Sequence, residues 1–242
     1  MNKIVFGSIM ALLALALVVT PGLAVDPALC PERTIQVSGT GEAYATPDIS
    51  TVNVGVQTRN ADVKVAQQQN AAITDGMIDA LVVAGIPRED IQTVSYSIYP
   101  VYENTPVPFG QKIQYYEVTN SVQVTVRDVS RTGEVIDIAV ANGANQVNSI
   151  VFSLSEGREA DFRSEVLTMA VKKARADADT LAQATGVTIT GVQTVSVGSV
   201  YIPVAYDNRM LSAESKAAGV PTPIEPGQIK VSAQVSISYL IS

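Results

Sequence analysis

The chain contains no histidine. That removes Ser-His-Asp and Cys-His nucleophilic arrangements and nearly every zinc-enzyme ligand set. It has a single cysteine, Cys30, so no disulfide can close within one chain. Basic charge is also scarce: 16 Lys and Arg stand against 23 Asp and Glu, for a formal net charge of −7. Phosphate binding needs a basic surface, so nucleic acid is excluded as an expected partner and anionic lipid is disfavoured. There is no glycine-rich phosphate loop. The run GSIMAL lies in the N-terminal apolar segment, and SGTGEAYA lacks both a lysine and a following helix. A calcium loop needs a denser run of Asp and Asn than YDNRM supplies.

One apolar run is long. Between Lys3 and Asp26 no residue is charged, and 4–19 is almost wholly apolar. Small residues end it at Gly22-Leu23-Ala24, after the Pro21-Gly22 break. Residues 1–24 therefore read as a secretory signal peptide cut after Ala24. The alternative is an uncleaved anchor, since about 20 apolar residues can span a bilayer. Contact with a membrane is expected only through this segment, and only if it is uncleaved. Either way the body of the protein lies outside the cytoplasm. Residues 25–33 read as a flexible leader carrying Cys30, either unpaired or joined to a second chain by an intermolecular disulfide.

The rest, 34–242, alternates between two periods. Ile35 and Val37, then Val52, Val54 and Val56, mark strands over Thr34–Ala45 and Ile49–Thr58. Gly39 and Gly41 within the first read as a strand bulge rather than an anion nest. From Asp62 the spacing becomes helical, with Ala66, Ile73, Met77, Ala80, Leu81 and Ala84 inward and Gly85 as the stop. Val94, Tyr96 and Ile98 begin a strand, and PVYENTPVPFGQK reads as a long loop. Val118, Val122, Val124 and Val126 alternate with polar residues, the mark of an antiparallel sheet covered on one side. A second helix is predicted over about 130–142, ending at Gly143, with Val135, Ile138 and Ala139 inward. A strand through Ile150, Phe152 and Leu154 follows. A third helix over about 158–185 has Phe162, Val166, Met169, Ala170, Ala174, Leu181 and Ala182 inward and stops at Gly186. A strand through Val192, Val195 and Val197, a second Pro-rich loop over about 203–228, and a last strand with Val231, Val235, Ile237 and Tyr239 on one face complete the chain.

One phrase occurs twice. GIPREDIQTVS begins at Gly85 and GVTITGVQTVS at Gly186. Each follows a helix and precedes a strand, a long loop and a returning strand, and VTNSVQVTV from Val118 aligns with VSAQVSISY from Val231. This reads as duplication of a helix–strand–strand unit, with Ile91 and Val192 as the first buried strand residues. The expected class is α+β: antiparallel sheets with helices packed on one side, in one domain or two packed lobes.

Little here resembles chemistry. Asp75 and Asp79 lie one helical turn apart, but a solvated helix face accounts for them, as it does for Asp177 and Asp179. Tyr96, Tyr99, Tyr102, Tyr115, Tyr116, Tyr201 and Tyr206 gather at strand ends near the two loops. They pack sheet edges or form an aromatic patch for subunit contact. No catalytic, cofactor-binding or metal-binding residue is nominated, and no cofactor is expected.

The opening VSGTGEAYATPDISTVNVGVQT resembles that of the SIMPL family, with Gly39, Gly41, Pro47 and Asp48 in the positions of its pattern. The helix AVKKARADADTLAQATG and the ending PIEPGQIKVSAQVSISYLI are similar too, so the resemblance spans about 34–242. It implies an α+β fold, export, assembly into large ring-like oligomers and a link to oxidative-stress defence. It carries over no catalytic residue. The expectation is a non-enzymatic exported or cell-envelope protein, periplasmic, secreted or surface-held, that works as a homo-oligomer. The competing expectation is a monomeric extracytoplasmic module binding a small ligand or peptide.

Overall fold

The computed structural model describes residues 32–103, 112–206 and 222–242. The apolar N-terminal segment, Cys30 and the centres of both Pro-rich loops lie outside the described residues. In order, the elements are β1 (Thr34–Ala45), β2 (Ile49–Asn60), α1 (Val63–Val83), β3 (Ile91–Tyr102), β4 (Ile113–Val126) and α2 (Thr132–Ala141). Then come β5 (Gln146–Ser153), α3 (Glu156–Thr185), β6 (Ile189–Tyr201), β7 (Ala205–Tyr206) and β8 (Ile229–Ile241). Thr34–Ser242 forms one compact unit.

All three helices stop as the glycines predict, and by one device. Gly85, Gly143 and Gly186 have φ of +92°, +101° and +71°. After α1, Gly85 N donates to Val82 O at 2.9 Å and Ile86 N to Leu81 O at 3.1 Å. The same pair of bonds closes α2 (Gly143 to Val140, Ala144 to Ala139) and α3 (Gly186 to Gln183, Val187 to Ala182). This crossed pattern satisfies orphan carbonyls and needs a left-handed residue, which glycine supplies without a Cβ clash. The start of α1 is capped by Asp62, whose Oδ1 accepts from Lys64 N at 2.7 Å and Val65 N at 3.4 Å.

The strands form two antiparallel sheets, β1-β8-β6 and β3-β4-β2-β5-β7. In each, the helix–strand–strand stretch takes the same positions. The strand after the helix is at the edge (β3, β6), the returning strand is central (β4, β8), and an earlier strand lies beyond it (β2, β1). The two stretches follow one another in the chain, and β2 to β5 fall between β1 and α3, so the first strand of the smaller sheet is separated from its partners by most of the larger sheet.

The larger core lies between the five-stranded sheet and α1 with α2. Val52, Val54, Val56, Val122, Val124, Ile150 and Phe152 face Met77, Leu81, Val135, Ile136 and Ala139. The smaller lies between β1, β8 and α3, where Val37, Val235, Ile237 and Tyr239 meet Ala170, Ala174 and Ala178. At one end of α3, Leu154, Val166, Ile229, Val231 and Ala233 form a third cluster. Ala205 of β7 packs on both this cluster and the larger core.

Several inward positions differ from the periodicity reading. On α3 the buried residues are Val166, Ala170, Ala174, Ala178 and Ala182, while Met169 and Leu181 are exposed. Beyond Val166 all of these are alanines, because α3 lies directly on β1. On α1, Asn70 and Thr74 are buried beside Ala66, Met77 and Leu81. The bulge expected at Gly39 and Gly41 is absent: β1 pairs with β8 without interruption from Thr34↔Leu240 to Ala45↔Ile229. A Cβ on Gly39 would overlap Ala170 O and Ala174 N, and one on Gly41 would overlap Val166 O and Ala170 N. These glycines are there for close helix–strand approach, not for a kink.

Candidate functional site: two uncovered edge strands

The most unusual surface lies on β3 and β6. The phrase Gln-Thr-Val-Ser falls in each, but its apolar neighbours are not buried as expected. Val192, Val195 and Val197 pair across to Tyr239, Ile237 and Val235, so they share the helix-side face of their sheet. Those β8 partners are buried beneath α3, yet the three β6 valines remain 53%, 52% and 53% exposed. The physical reason is reach: α3 lies over β1 and β8, and β6 extends past its flank. On the other sheet, Tyr96 and Ile98 pair with Asn120 and Val118 on the face covered by α1 and are 50% and 39% exposed. Here too the helix stops short of the edge strand. Ile91 is half-buried and packs on the larger core, whereas Val192 is exposed, so only the first approaches its expected role.

Neither edge strand contains a charged residue over its whole length, 12 residues in β3 and 13 in β6. Edge strands ordinarily carry lysines or other charges that oppose pairing with another chain. Each has a hydrogen-bonded neighbour on one side only, β4 for β3 and β8 for β6. Irregularities divide the ladders. In β3 they fall between Thr93 and Ser95 and between Val101 and Tyr102, with Pro100 just before the second. In β6 they fall between Ile189 and Gly191, Val192 and Thr194, and Val197 and Val200. Regular backbone is left at Ser95–Tyr99 and Thr194–Val197, each flanked by exposed apolar side chains. A surface of this kind, depleted in charge and enriched in Tyr and aliphatic groups, has the composition of an interface core.

Other polar groups serve the frame. Asp48, in the β1–β2 turn, accepts from Ser155 N at 2.8 Å and Ser155 Oγ at 2.7 Å, tying that turn to the start of α3. Partial burial pushes the Asp48 carboxyl up. The two Ser155 bonds and the Arg158 charge outweigh that and hold it below its ordinary value. Asp90, nearly buried, is gripped by Arg127 through two bonds of 2.7 Å. Asp75 is exposed, and Asp79 faces Arg88 at 3.6 Å, so the helical carboxylate pair sits on a solvated face. Asp179 pairs with Arg175 at 3.0 Å.

The tyrosines divide. Tyr96, Tyr99, Tyr102 and Tyr201 are exposed, while Tyr115 and Tyr116 are half-buried and Arg59 lies over the Tyr115 ring at 5.4 Å. Among the described residues no three His, Cys, Asp or Glu side chains gather as a metal site would require. A groove of about 370 Å³ runs beside α3, lined by Val37, Ser38, Asp177, Thr180 and Leu181. No helix among the described residues is long and apolar enough to cross a membrane. The edge surface was hidden from periodicity, which marks a strand through Val192, Val195 and Val197 but shows neither the irregularity between Val192 and Thr194 that brings all three to one face nor how far the helix reaches.

The chain is 31% identical to the 26 kDa periplasmic immunogenic protein of Brucella melitensis over 165 residues, 67% of this chain and 65% of that protein. It therefore spans just under two thirds of that relative's length. It is 29% identical to the uncharacterized protein YggE of Edwardsiella ictaluri over 189 residues, 78% of each chain. With the YggE of Escherichia coli K12 the identity is 26% over 123 residues, about half of each. The model of the SIMPL family, described as protein of unknown function (DUF541), matches residues 35–239, and the chain belongs to that family.

Proposed function

We propose that this protein is a non-catalytic extracytoplasmic homo-oligomer whose subunits join through β3 and β6. The observation that carries this is the pair of uncharged edge strands whose helix-side residues are left half exposed. Export is supported by the apolar N-terminal run and by the periplasmic relative.

Magnitudes shape the reading further. Covering the exposed parts of Val192, Val195, Val197, Tyr96 and Ile98 is worth about 1 kcal/mol each. The gross gain per edge contact is then a few kcal/mol. Association costs at least about 4 kcal/mol in lost freedom. One edge contact with its short ladder is therefore weak alone, and a stable assembly needs both edges of every subunit engaged.

Charging one edge tests this. Val195→Lys or Tyr96→Lys should each lower the solution mass while leaving the circular dichroism spectrum unchanged. The surface change Asp75→Lys, away from both edges, should leave the mass as it was. An assembly that survives both edge changes would refute the assignment of β3 and β6. A monomer with ligand-dependent melting would favour the binding-module reading instead.

A further inference from the structure

Polar atoms interrupt the larger core beneath α1. Asn70 is fully buried and Thr74 nearly so, one helical turn apart on the face that meets the sheet. Asn120 lies between Val118 and Val122 on the core face of β4, opposite Val56 of β2. Asn70 Nδ2 donates to Val56 O at 2.7 Å and to Val118 O at 3.1 Å. That uses the donor arm of the amide and places its nitrogen between the backbone carbonyls of Val56, which pairs across to Asn120, and Val118. Asn70 Oδ1, Thr74 Oγ1 and Asn120 Oδ1 are all buried, and none has a hydrogen-bond partner in the protein. The contrast with α3 is direct: there Thr168, Thr180 and Thr185 each donate to the carbonyl one turn back. Thr74 does not.

Three buried oxygens in one region are costly, because native interiors pair nearly all such groups. Two of them are amide carbonyls and can only accept. The third is a hydroxyl and can also donate. We propose that a single internal water binds between α1 and the β2–β4 pair, donating to Asn70 Oδ1 and Asn120 Oδ1 and accepting from the Thr74 hydroxyl. Its three bonds match what buried waters ordinarily make. All three oxygens are uncharged, which suits a water and not a divalent metal ion, whose sites draw on carboxylates and six or more oxygens.

The site also accounts for a difference between the two sheets. In the smaller sheet, α3 brings Ala170 and Ala174 onto Gly39 and Gly41 so closely that a methyl group does not fit. The β8 residue aligned with Asn120 is Ala233, which is buried and apolar. One helix–sheet contact closes by removing side chains, and the other holds a polar cluster with its water. The water lies one strand from the exposed edge, since Asn120 pairs across to Tyr96. It thereby fixes the strand that supports that edge.

Thr74→Val tests the site, because valine keeps the shape and removes the hydroxyl. If the water is bound, the variant loses one of its bonds and melts lower by about 2–4 °C, the shift expected for roughly one hydrogen bond in a chain of this size. If no water is there, the change deletes an orphan polar atom and the melting temperature rises. Nuclear magnetic resonance supplies the second readout. Long-lived cross-relaxation from water to the Asn70 side-chain amide and the Thr74 methyl group is expected in the unaltered protein, weakened in Thr74→Val. A direct contact between the two asparagine amides with no water signal, which a flipped Asn120 would give, would overturn the proposal.

Discussion

Replacing Gly39 by alanine should be among the most damaging single-methyl changes in this protein. The new Cβ would overlap Ala170 O and Ala174 N, both backbone atoms of α3. A flexible side chain could turn aside, but a 30-residue helix cannot. To restore an ordinary contact α3 must lift off β1, which loosens the packing of Val37, Ala170, Ala174 and Ala178. Overpacking a well-filled site costs about 1–3 kcal/mol, and a rigid obstacle places this case at the upper end. Alanine also restricts the unfolded chain, which returns about 0.4–1 kcal/mol. The net expectation is a loss of about 2 kcal/mol, or roughly 4–8 °C in melting temperature. Gly76→Ala is the matched control. It lies inside α1 with nothing within 4 Å of the added carbon, so it should stabilise by about 0.5–1 kcal/mol. Urea unfolding of both variants beside the unaltered protein measures the difference. Equal or higher stability of Gly39→Ala would refute close helix–strand packing as the reason for this glycine.

Three further outcomes are expected. Asp48→Ala removes both acceptors of Ser155 and should cost about 2 kcal/mol at neutral pH, read by denaturant midpoint. Because the folded Asp48 carboxyl titrates below its unfolded value, its contribution is fully present above about pH 4. It disappears as pH falls through the lower folded value, so the variant should show a flatter acid limb in a pH–stability series. Phe152→Ala empties a fully buried position of the larger core and should destabilise by about 3–5 kcal/mol in the same assay. Val195→Lys should lower the mass of the assembly while leaving the circular dichroism spectrum of the subunit unchanged, since the side chain is half exposed in the single chain.

Local signals made most of the fold legible. Alternation located every long strand to within a few residues, and the three glycines marked the helix ends because that backbone conformation belongs to glycine. The class, antiparallel sheets with helices, followed from those elements. What escaped depends on how far one element reaches over another. Val195 and Val235 look alike in a periodic reading, yet one lies beside α3 and the other beneath it. Gly39 and Gly41 suggested a bulge because a glycine in a strand has two common causes, and only the position of α3 selects close approach. The burial of Asn70 and Thr74 has no signal in an apolar periodicity, because both side chains are polar. Their burial depends on β2 and β4 offering carbonyls at Val56 and Val118.

The most direct test of the central claim is the solution mass of the purified protein, measured by light scattering after size exclusion at micromolar concentration, with and without reductant. The expected result is a defined assembly of many times the 25.5 kDa chain that persists under reduction and falls apart when Val195→Lys and Tyr96→Lys are combined. A clean monomer would contradict it.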